Sequence, residues 1–289
     1  MDPVRTIKYA VQGAYASLNP SYRSGDEFGR CSVCGNYSRF RRGLVLRPGS
    51  DAAAASGWDG RFIDEINITN SLACSYCLAK FRVRCAAESM LKRVEEGRIG
   101  SVACLAEKLR DGTIGPDWQA LETTAHEGIF SGFGEIANVV KSEYFDDLGR
   151  GRSRDGVRSE DLQALTFADR SFDLVIALDV FEHIADPYRA FEQVRRVLKP
   201  SGIALVTVPV DPRVRGTKAI AKMESGKIIY LGKRARHSDP LRQEGCPVFT
   251  EFGTDLADRL NGSGYDASWD IYRTKRTRVE QRVLVLKNR

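Results

Sequence analysis

The chain has 289 residues, a net charge of +6, 42% hydrophobic and 28% charged residues. That balance belongs to an ordinary globular protein and excludes a disordered or fibrous chain, and no apolar run approaches the roughly 18 residues needed to cross a bilayer. The length allows one large or two modest domains. Residues 101–211 carry 12 basic and 19 acidic side chains, against 15 and 10 before them and 17 and 9 after them. An acidic middle suits a neutral or cationic ligand and basic flanks suit anionic contacts, the alternative being unrelated solvated faces. The first residues lack the charged-then-apolar pattern of a secretory leader, so a cytoplasmic protein with no membrane partner is expected.

Residues 1–22 read as a partly helical lead-in. Seven cysteines follow along the chain, four of them as Cys31-x-x-Cys34 and Cys74-x-x-Cys77. Two such pairs make the ligand set of a tetrahedral structural zinc site, each pair forming a tight knuckle. Gly35, directly after Cys34, suits a turn that needs positive φ. Two disulfides, or four unrelated buried thiols, are the alternatives, and disulfides fit poorly with a cytosolic chain. No histidine lies beside the pairs, which argues against a catalytic metal there. Cys85, Cys104 and Cys246 read as packing residues. The expected zinc module spans about residues 28–82, with Arg47-Pro48-Gly49-Ser50, an alanine run and Gly57 reading as an inserted loop.

Residues 86–109 read as one or two helices broken near 97–100, and Gly115-Pro116 marks a boundary. The expected division is an N-terminal region over 1–112 and a second domain over 113–289. A first sheet strand is expected over 118–123 and a second over 139–145. Residues 172–178 form a short, nearly all-apolar run, as a strand buried on both faces would. Asp186 followed by Pro187 signals a helix start, and Tyr188, Phe191, Val194, Val197 and Leu198 share one helical face. Lys199-Pro200-Ser201-Gly202 stops that helix before a buried strand over 203–208. Strand, helix, strand in this order is a βαβ unit and predicts a parallel sheet. Residues 211–250 are polar and basic and read as an insertion over the strands' carboxyl ends. A helix over 252–260 and strands near 267–272 and 279–286 complete the chain.

Asp161, Leu165-Thr166-Phe167, Ser171-Phe172-Asp173, Asp179-Val180-Phe181-Glu182-His183 and Leu198-Lys199-Pro200-Ser201-Gly202 together resemble the second half of a class I S-adenosyl-L-methionine (SAM) dependent methyltransferase domain of the type 11 kind. The resemblance is good over roughly residues 120–210, with Thr166 and Ser201 where the family has proline and glycine. It implies an α/β fold: a Rossmann-like sheet with helices on both faces and an antiparallel edge strand, here preceded by a small zinc-binding module. Cys31-Ser32-Val33-Cys34-Gly35 and Cys74-Ser75-Tyr76-Cys77 resemble a module that some members carry before the catalytic domain.

SAM needs a close backbone approach, an acid on the ribose diol and a polar partner for adenine. By position Glu143 is the ribose acid, since a carboxylate accepts two hydroxyl hydrogen bonds. Asp161 matches the family's adenine acid, the backbone of Leu162 would face the ring, and Asp179 ends a strand where such folds bind ligands. In Leu121-Glu122-Thr123-Thr124-Ala125-His126-Glu127-Gly128 the first glycine-rich turn departs from the family pattern. Glu122 stands for its acid and Gly128 for its last glycine, and His126 is a further candidate cofactor contact. Either this turn opens differently or cofactor binding is weakened or lost.

An oxygen acceptor needs its proton removed. His183 is one candidate base, its alternative being a cap on the following helical region. His237 with Asp239 is a second, its alternative being a turn. The leading function is methyl transfer to a small-molecule or sugar-type acceptor. An RNA-directed enzyme is the second reading, from Arg39, Arg41, Arg42, Arg273, Lys275, Arg276, Arg278 and Arg282 interleaved with Tyr37, Phe40 and Tyr272, the alternative being alternating charge along an edge strand. A non-catalytic binding protein with a degenerate methyltransferase fold is the third.

Overall fold

The computed structural model describes residues 27–42, 59–232, 234–237, 242 and 244–289. The lead-in over 1–22, the loop around Arg47-Pro48-Gly49-Ser50 and Asp239 lie outside the described residues. A small antiparallel sheet comes first, formed by β1 (Glu27–Arg30), β2 (Tyr37–Arg42) and β3 (Leu72–Cys74), with α1 (Gly60–Ser71) inserted before the third strand. Next come α2 (Phe81–Leu91), a single 3₁₀ turn (Val94–Gly97) and α3 (Val102–Arg110). Asp59 caps α1 by accepting from the Phe62 amide at 2.8 Å, and Ser101 caps α3 from Cys104 at 3.3 Å.

The central sheet then takes β4 (Ala120–Glu122), β5 (Val139–Glu143), β6 (Ser153–Arg154), β7 (Val157–Ser159), β8 (Phe172–Leu178) and, after α4 (Pro187–Val197), β9 (Leu198–Thr207). Short ribbons occupy residues 218–251: β10 (Lys218–Ala219) with β15 (Thr250–Glu251), β11 (Ala221–Glu224) with β12 (Lys227–Tyr230), and β13 (Arg236–His237) with β14 (Cys246–Pro247). Helix α5 (Leu256–Asn261) leads to β16 (Tyr265–Arg273) and β17 (Glu280–Asn288). The order across the eight-stranded sheet is β16-β17-β9-β8-β4-β5-β7-β6. Strands β5, β4, β8 and β9 run parallel, while β17 enters antiparallel to β9. The sequence reverses its direction of growth between β4 and β8, so a topological switch point lies at the carboxyl ends of those two strands. This is the expected Rossmann-like α/β architecture with an antiparallel end.

Side chains alternate between the two faces of a strand, and each face has its own core. Leu121, Val175, Ala177, Ala204, Val206, Leu284 and Leu286 pack against α4 and α5 through Phe191, Val194, Val197, Leu256 and Leu260. Ala120, Leu174, Ile176, Leu178, Leu205, Val283 and Val285 face the other way, onto Leu72, Ala86, Met90, Leu105 and the buried Cys31. That second cover comes from the segment preceding the sheet. The links β4–β5, β5–β7 and β7–β8 contain no helix, so α2 and α3 do the shielding that crossover helices would otherwise do.

The Asp186–Pro187 start is as read from the sequence: the Asp186 carboxylate accepts from the Arg189 amide at 3.1 Å. Two residues of that face differ, Tyr188 and Leu198. Tyr188 is 39% exposed because the buried stripe runs through Pro187, Ala190, Phe191, Val194 and Val197. Strand β9 already begins at Leu198, and Ser201 takes φ +64° within it. Gly202 has no room for a Cβ, which would lie 2.9–3.0 Å from the carbonyls of Lys199 and Phe172. The helix expected over 252–260 is confined to α5, since Phe252 instead bridges Val210.

Asp270 on the sheet edge clasps the end of the helical cover: it accepts from Arg93 at 2.7 and 3.1 Å and from Ser89 at 2.8 Å. Burial opposes its ionisation, but these donors outweigh it and hold the carboxyl below the usual range. A pKa lowered by folding gives stability that is complete above the unfolded value, about 3.9, and lost as pH falls through the folded one. Asp270→Asn is therefore expected to lower unfolding free energy by about 1 kcal/mol at pH 7 and by less near pH 3, read by chemical denaturation at both pH values. An equal loss at both would sink this account.

Candidate functional site

Three groups of chemistry-bearing residues gather around the N-terminal cover and the carboxyl ends of the central strands. The first is the cysteine cluster. The Sγ atoms of Cys31, Cys34, Cys74 and Cys77 all lie within 4.8 Å of one another, with Cys31–Cys77 at 3.7 Å and Cys34–Cys74 at 3.8 Å. None of the four is in a disulfide. The two knuckles share one hydrogen-bond pattern: Gly35 N–H donates to Cys31 O at 2.9 Å and Leu78 N–H to Cys74 O at 3.0 Å. Both Gly35 and Leu78 have positive φ, 78° and 63°, so leucine stands where the turn favours glycine. The thiols perturb one another: hydrogen bonds from Cys31 and Cys77 hold the Cys74 thiol far below its ordinary range, and Cys31 pushes Cys77 up. Helix α3 is anchored on the first knuckle, Val102 and Ala103 donating to Ser32 O and Val33 O at 2.9 Å.

The second group surrounds the switch point. Glu122 ends β4 fully buried, and its two carboxylate oxygens accept the Phe130 amide at 3.1 and 3.2 Å. Gly128 lies directly on that carboxylate; a Cβ there would sit 2.1–2.5 Å from its atoms. Glu122 thus shapes the first turn from beneath and is covered by it. Thr123 is tied to Ile176 O through both its amide, at 2.9 Å, and its hydroxyl, at 3.1 Å, so the turn is fastened to β8. His126 points outward, exposed. Glu127 accepts from Lys80 at 2.7 Å and from Arg82 at 3.2 Å, and the buried Arg82 guanidinium also pairs with Asp179. Burial opposes the charge on Arg82, but Asp179 and Glu127 outweigh it and raise its pKa. Asp179 itself takes φ +54° and accepts from the Thr207 hydroxyl at 2.7 Å. Sequence reasoning had no means of finding Arg82, because it reaches the switch point from α2, 97 residues before its partner.

Strands β5 and β7 bring the remaining candidates together. Glu143 ends β5, and its carbonyl accepts from the Glu160 amide at 2.9 Å, which sets Asp161 beside it. Asp161 opens a tight turn, its Oδ1 accepting from the Gln163 amide at 2.8 Å and side chain at 3.2 Å. Leu162 is buried.

The third group lies past β8. Glu182 and His183 belong to a 3₁₀ turn (Phe181–His183), and β13 lays His237 against them. The two imidazole rings meet edge to face with centroids 5.0 Å apart, and each has a nitrogen 3.7 Å from the buried Glu182 carboxylate. Burial opposes ionisation of Glu182, yet His183 and His237 hold its pKa below the usual range. His183 and His237 are thus neighbours, which their separation in sequence hides.

Four of the residues read as an RNA surface make contacts within the chain, while Arg39, Arg41, Arg276 and Arg278 are exposed. Phe40 is buried beneath Arg84, whose guanidinium lies 3.6 Å from its ring centroid; Tyr272 bonds Ser89 at 2.9 Å; Arg273 and Arg282 both pair with Glu280. Tyr37 alone of the three aromatics is exposed, stacked on Phe28.

Residues 127–206 match the family model described as a methyltransferase domain. An uncharacterised methyltransferase of Mycolicibacterium gilvum is 43% identical over 95 residues, and one of Mycolicibacterium vanbaalenii 33% over 95 residues. Each match covers 32% of this chain and 34% of the relative, so the chain spans about a third of the length of the curated relatives it matches. Among solved structures, a SAM-dependent methyltransferase of Mesorhizobium loti is similar at 16% identity and TM-score 0.39, over 63% of this chain and 96% of that one.

Gly128→Ala is expected to destabilise the protein by about 1–3 kcal/mol, since the methyl must displace a buried carboxylate. Thermal denaturation checks this, and an unchanged Tm would show that Glu122 is free to move aside.

Proposed function

We propose that this chain is a SAM-dependent methyltransferase with a structural zinc ion in its N-terminal cover. The observation that carries the reading is the methyltransferase-domain match over residues 127–206, where β5 and β8 lead into the candidate cofactor-binding carboxylates Glu143 and Asp179 beside the sheet's switch point. The fit of the cofactor rests on those residues. Glu143 ends β5 and Asp161 opens the turn that follows the adjacent β7, where a nucleoside would meet one acid at its diol and one at its base. Arg82, held between Glu127 and Asp179, gives that end both signs of charge, as a zwitterionic amino-acid group requires. When bound, SAM supplies an electrophilic methyl group on a sulfonium.

The chain's own part is positioning. An in-line displacement gains most from holding donor and acceptor in register, and the clamp of Arg82 on Asp179 fixes the end of β8 against the first turn. The acceptor we propose is a small molecule or sugar-type compound; the commitment of Phe40, Tyr272, Arg273 and Arg282 to internal contacts disfavours RNA.

Zinc is supported by distance. Four thiolates about 2.3 Å from one tetrahedral ion are separated by about 3.8 Å, against 3.7 and 3.8 Å for the two close pairs here.

S-adenosylhomocysteine titrated calorimetrically into the zinc-replete chain is expected to bind in the micromolar range. Asp161→Ala should weaken it at least about tenfold while leaving the protein folded. Absence of binding at millimolar ligand would overturn the methyltransferase reading. Separately, metal analysis should find zinc held by the four cysteines, at no less than one ion per chain, and its removal by a chelator should lower the Tm of the whole protein in one transition, because Cys31 and Cys74 belong to the core that covers the sheet. A melt unaffected by chelation would overturn the zinc assignment.

A further inference from the structure

The Glu182 carboxylate is 2% exposed, and neither of its oxygens lies within hydrogen-bond distance of a donor among the described residues. A buried carboxylate without compensation costs several kcal/mol, so a native structure retains one only where positive charge meets it. The nearest candidates are His183 Nε2 and His237 Nδ1, both 3.7 Å from the same oxygen, Oε1. That spacing is too long for a hydrogen bond. It is a few tenths of an ångström more than two ligands of one ion would show, given metal–ligand bonds of about 2.0–2.2 Å.

The tautomer of His183 sharpens the point. Its Nδ1 lies 2.8 Å from the Pro247 carbonyl, which can only accept, so Nδ1 carries the proton. The Nε2 of a neutral ring then turns a lone pair toward the carboxylate. Two lone pairs held face to face in a buried place call for a cation between them, and an imidazole oriented through its far nitrogen by a carbonyl is the usual support of a metal-ligating histidine. The surrounding segment is built to hold this arrangement: the Phe249 amide donates to Glu182 O at 2.7 Å, and the β13–β14 pairing delivers His237.

We propose that Glu182, His183 and His237 bind one divalent transition-metal ion, distinct from the one assigned to the four cysteines. Their three ligand atoms lie within 4.8 Å of one another. Two imidazoles and a carboxylate favour zinc, cobalt, iron or manganese over calcium or magnesium. Three protein ligands leave a position for water or an acceptor oxygen, whereas the cysteine cluster completes a tetrahedron by itself. Placed just past the carboxyl end of β8, the ion would orient and acidify a hydroxyl-bearing acceptor. That role rests on the methyl-transfer reading; cation binding does not.

The test uses the full chain already loaded with zinc at its cysteines, titrated with cobalt(II). One equivalent should bind with weak visible absorption and no intense thiolate charge-transfer band. The imidazole proton resonances of His183 and His237 should shift, while those of His126, the chain's remaining histidine, stay in place as an internal control. Glu182→Gln and His237→Ala should each weaken binding by about 100-fold. Retention of no cobalt, binding unchanged in both variants, or cobalt found only on thiolates would overturn the proposal. If a variant fails to fold, the histidine shifts in the unsubstituted protein decide alone: freely titrating imidazoles at saturating cobalt would make the cluster an ordinary ion pair. Homocysteine-cofactor calorimetry on the same samples separates the two readings. Binding of S-adenosylhomocysteine without cobalt sinks only the metal site, and cobalt without S-adenosylhomocysteine sinks only the methyltransferase.

Discussion

A parallel sheet has two apolar faces, and both must be covered before the protein is stable. Here the crossovers β4–β5, β5–β7 and β7–β8 bring no helix to one of them. The segment carrying the four cysteines supplies the missing layer, so Met90, Ala86 and Leu105 lie in one continuous core with Leu174, Ile176 and Leu205. The rest of the structure depends on this borrowed layer. It makes the cysteine cluster a support for the sheet as well as for its own knuckles, because Cys31 and Cys74 are buried within that same core.

The same layer also furnishes polar groups to the switch point. Helix α2 starts at Phe81, so its cap residue Lys80 and Arg82 in its first turn project toward the carboxyl ends of β4 and β8 and meet Glu127 and Asp179 there. A guanidinium buried between two carboxylates is tolerated because each charge is compensated within hydrogen-bonding distance. Its consequence is positional: the first turn and the end of β8 are held together by a residue outside the matched domain. Gly128 and Glu122 complete the turn from below through a contact that leaves no space for a side chain.

Much of the sheet was legible in the sequence because its signals are local. The apolar run over β8, the Asp186–Pro187 start of α4 and the glycine after Cys34 each follow from the residue's own backbone preference or its immediate neighbours. Tyr188 was misplaced for the same reason in reverse: the helical period assigned it to the apolar face, but the packing of Pro187 and Ala190 shifts the buried stripe past it. Ser201 and Leu78 occupy positive-φ positions that sequence reasoning assigns to glycine, and only surrounding contacts enforce them.

The sequence by itself determined the central strands, the start of the helix after β8, the class of the sheet, the cysteine pairs and the carboxylates near the strand ends. These depend on periodicity, spacing and local caps, all of which are written along the chain. The tertiary structure alone decided which distant residues meet: Arg82 with Asp179 across 97 residues, Glu182 with His237 through an inserted ribbon, and the N-terminal helices with a face of the sheet. Such pairings are set by how layers stack, and a side chain's reach across a stack has no period that a linear sequence can display.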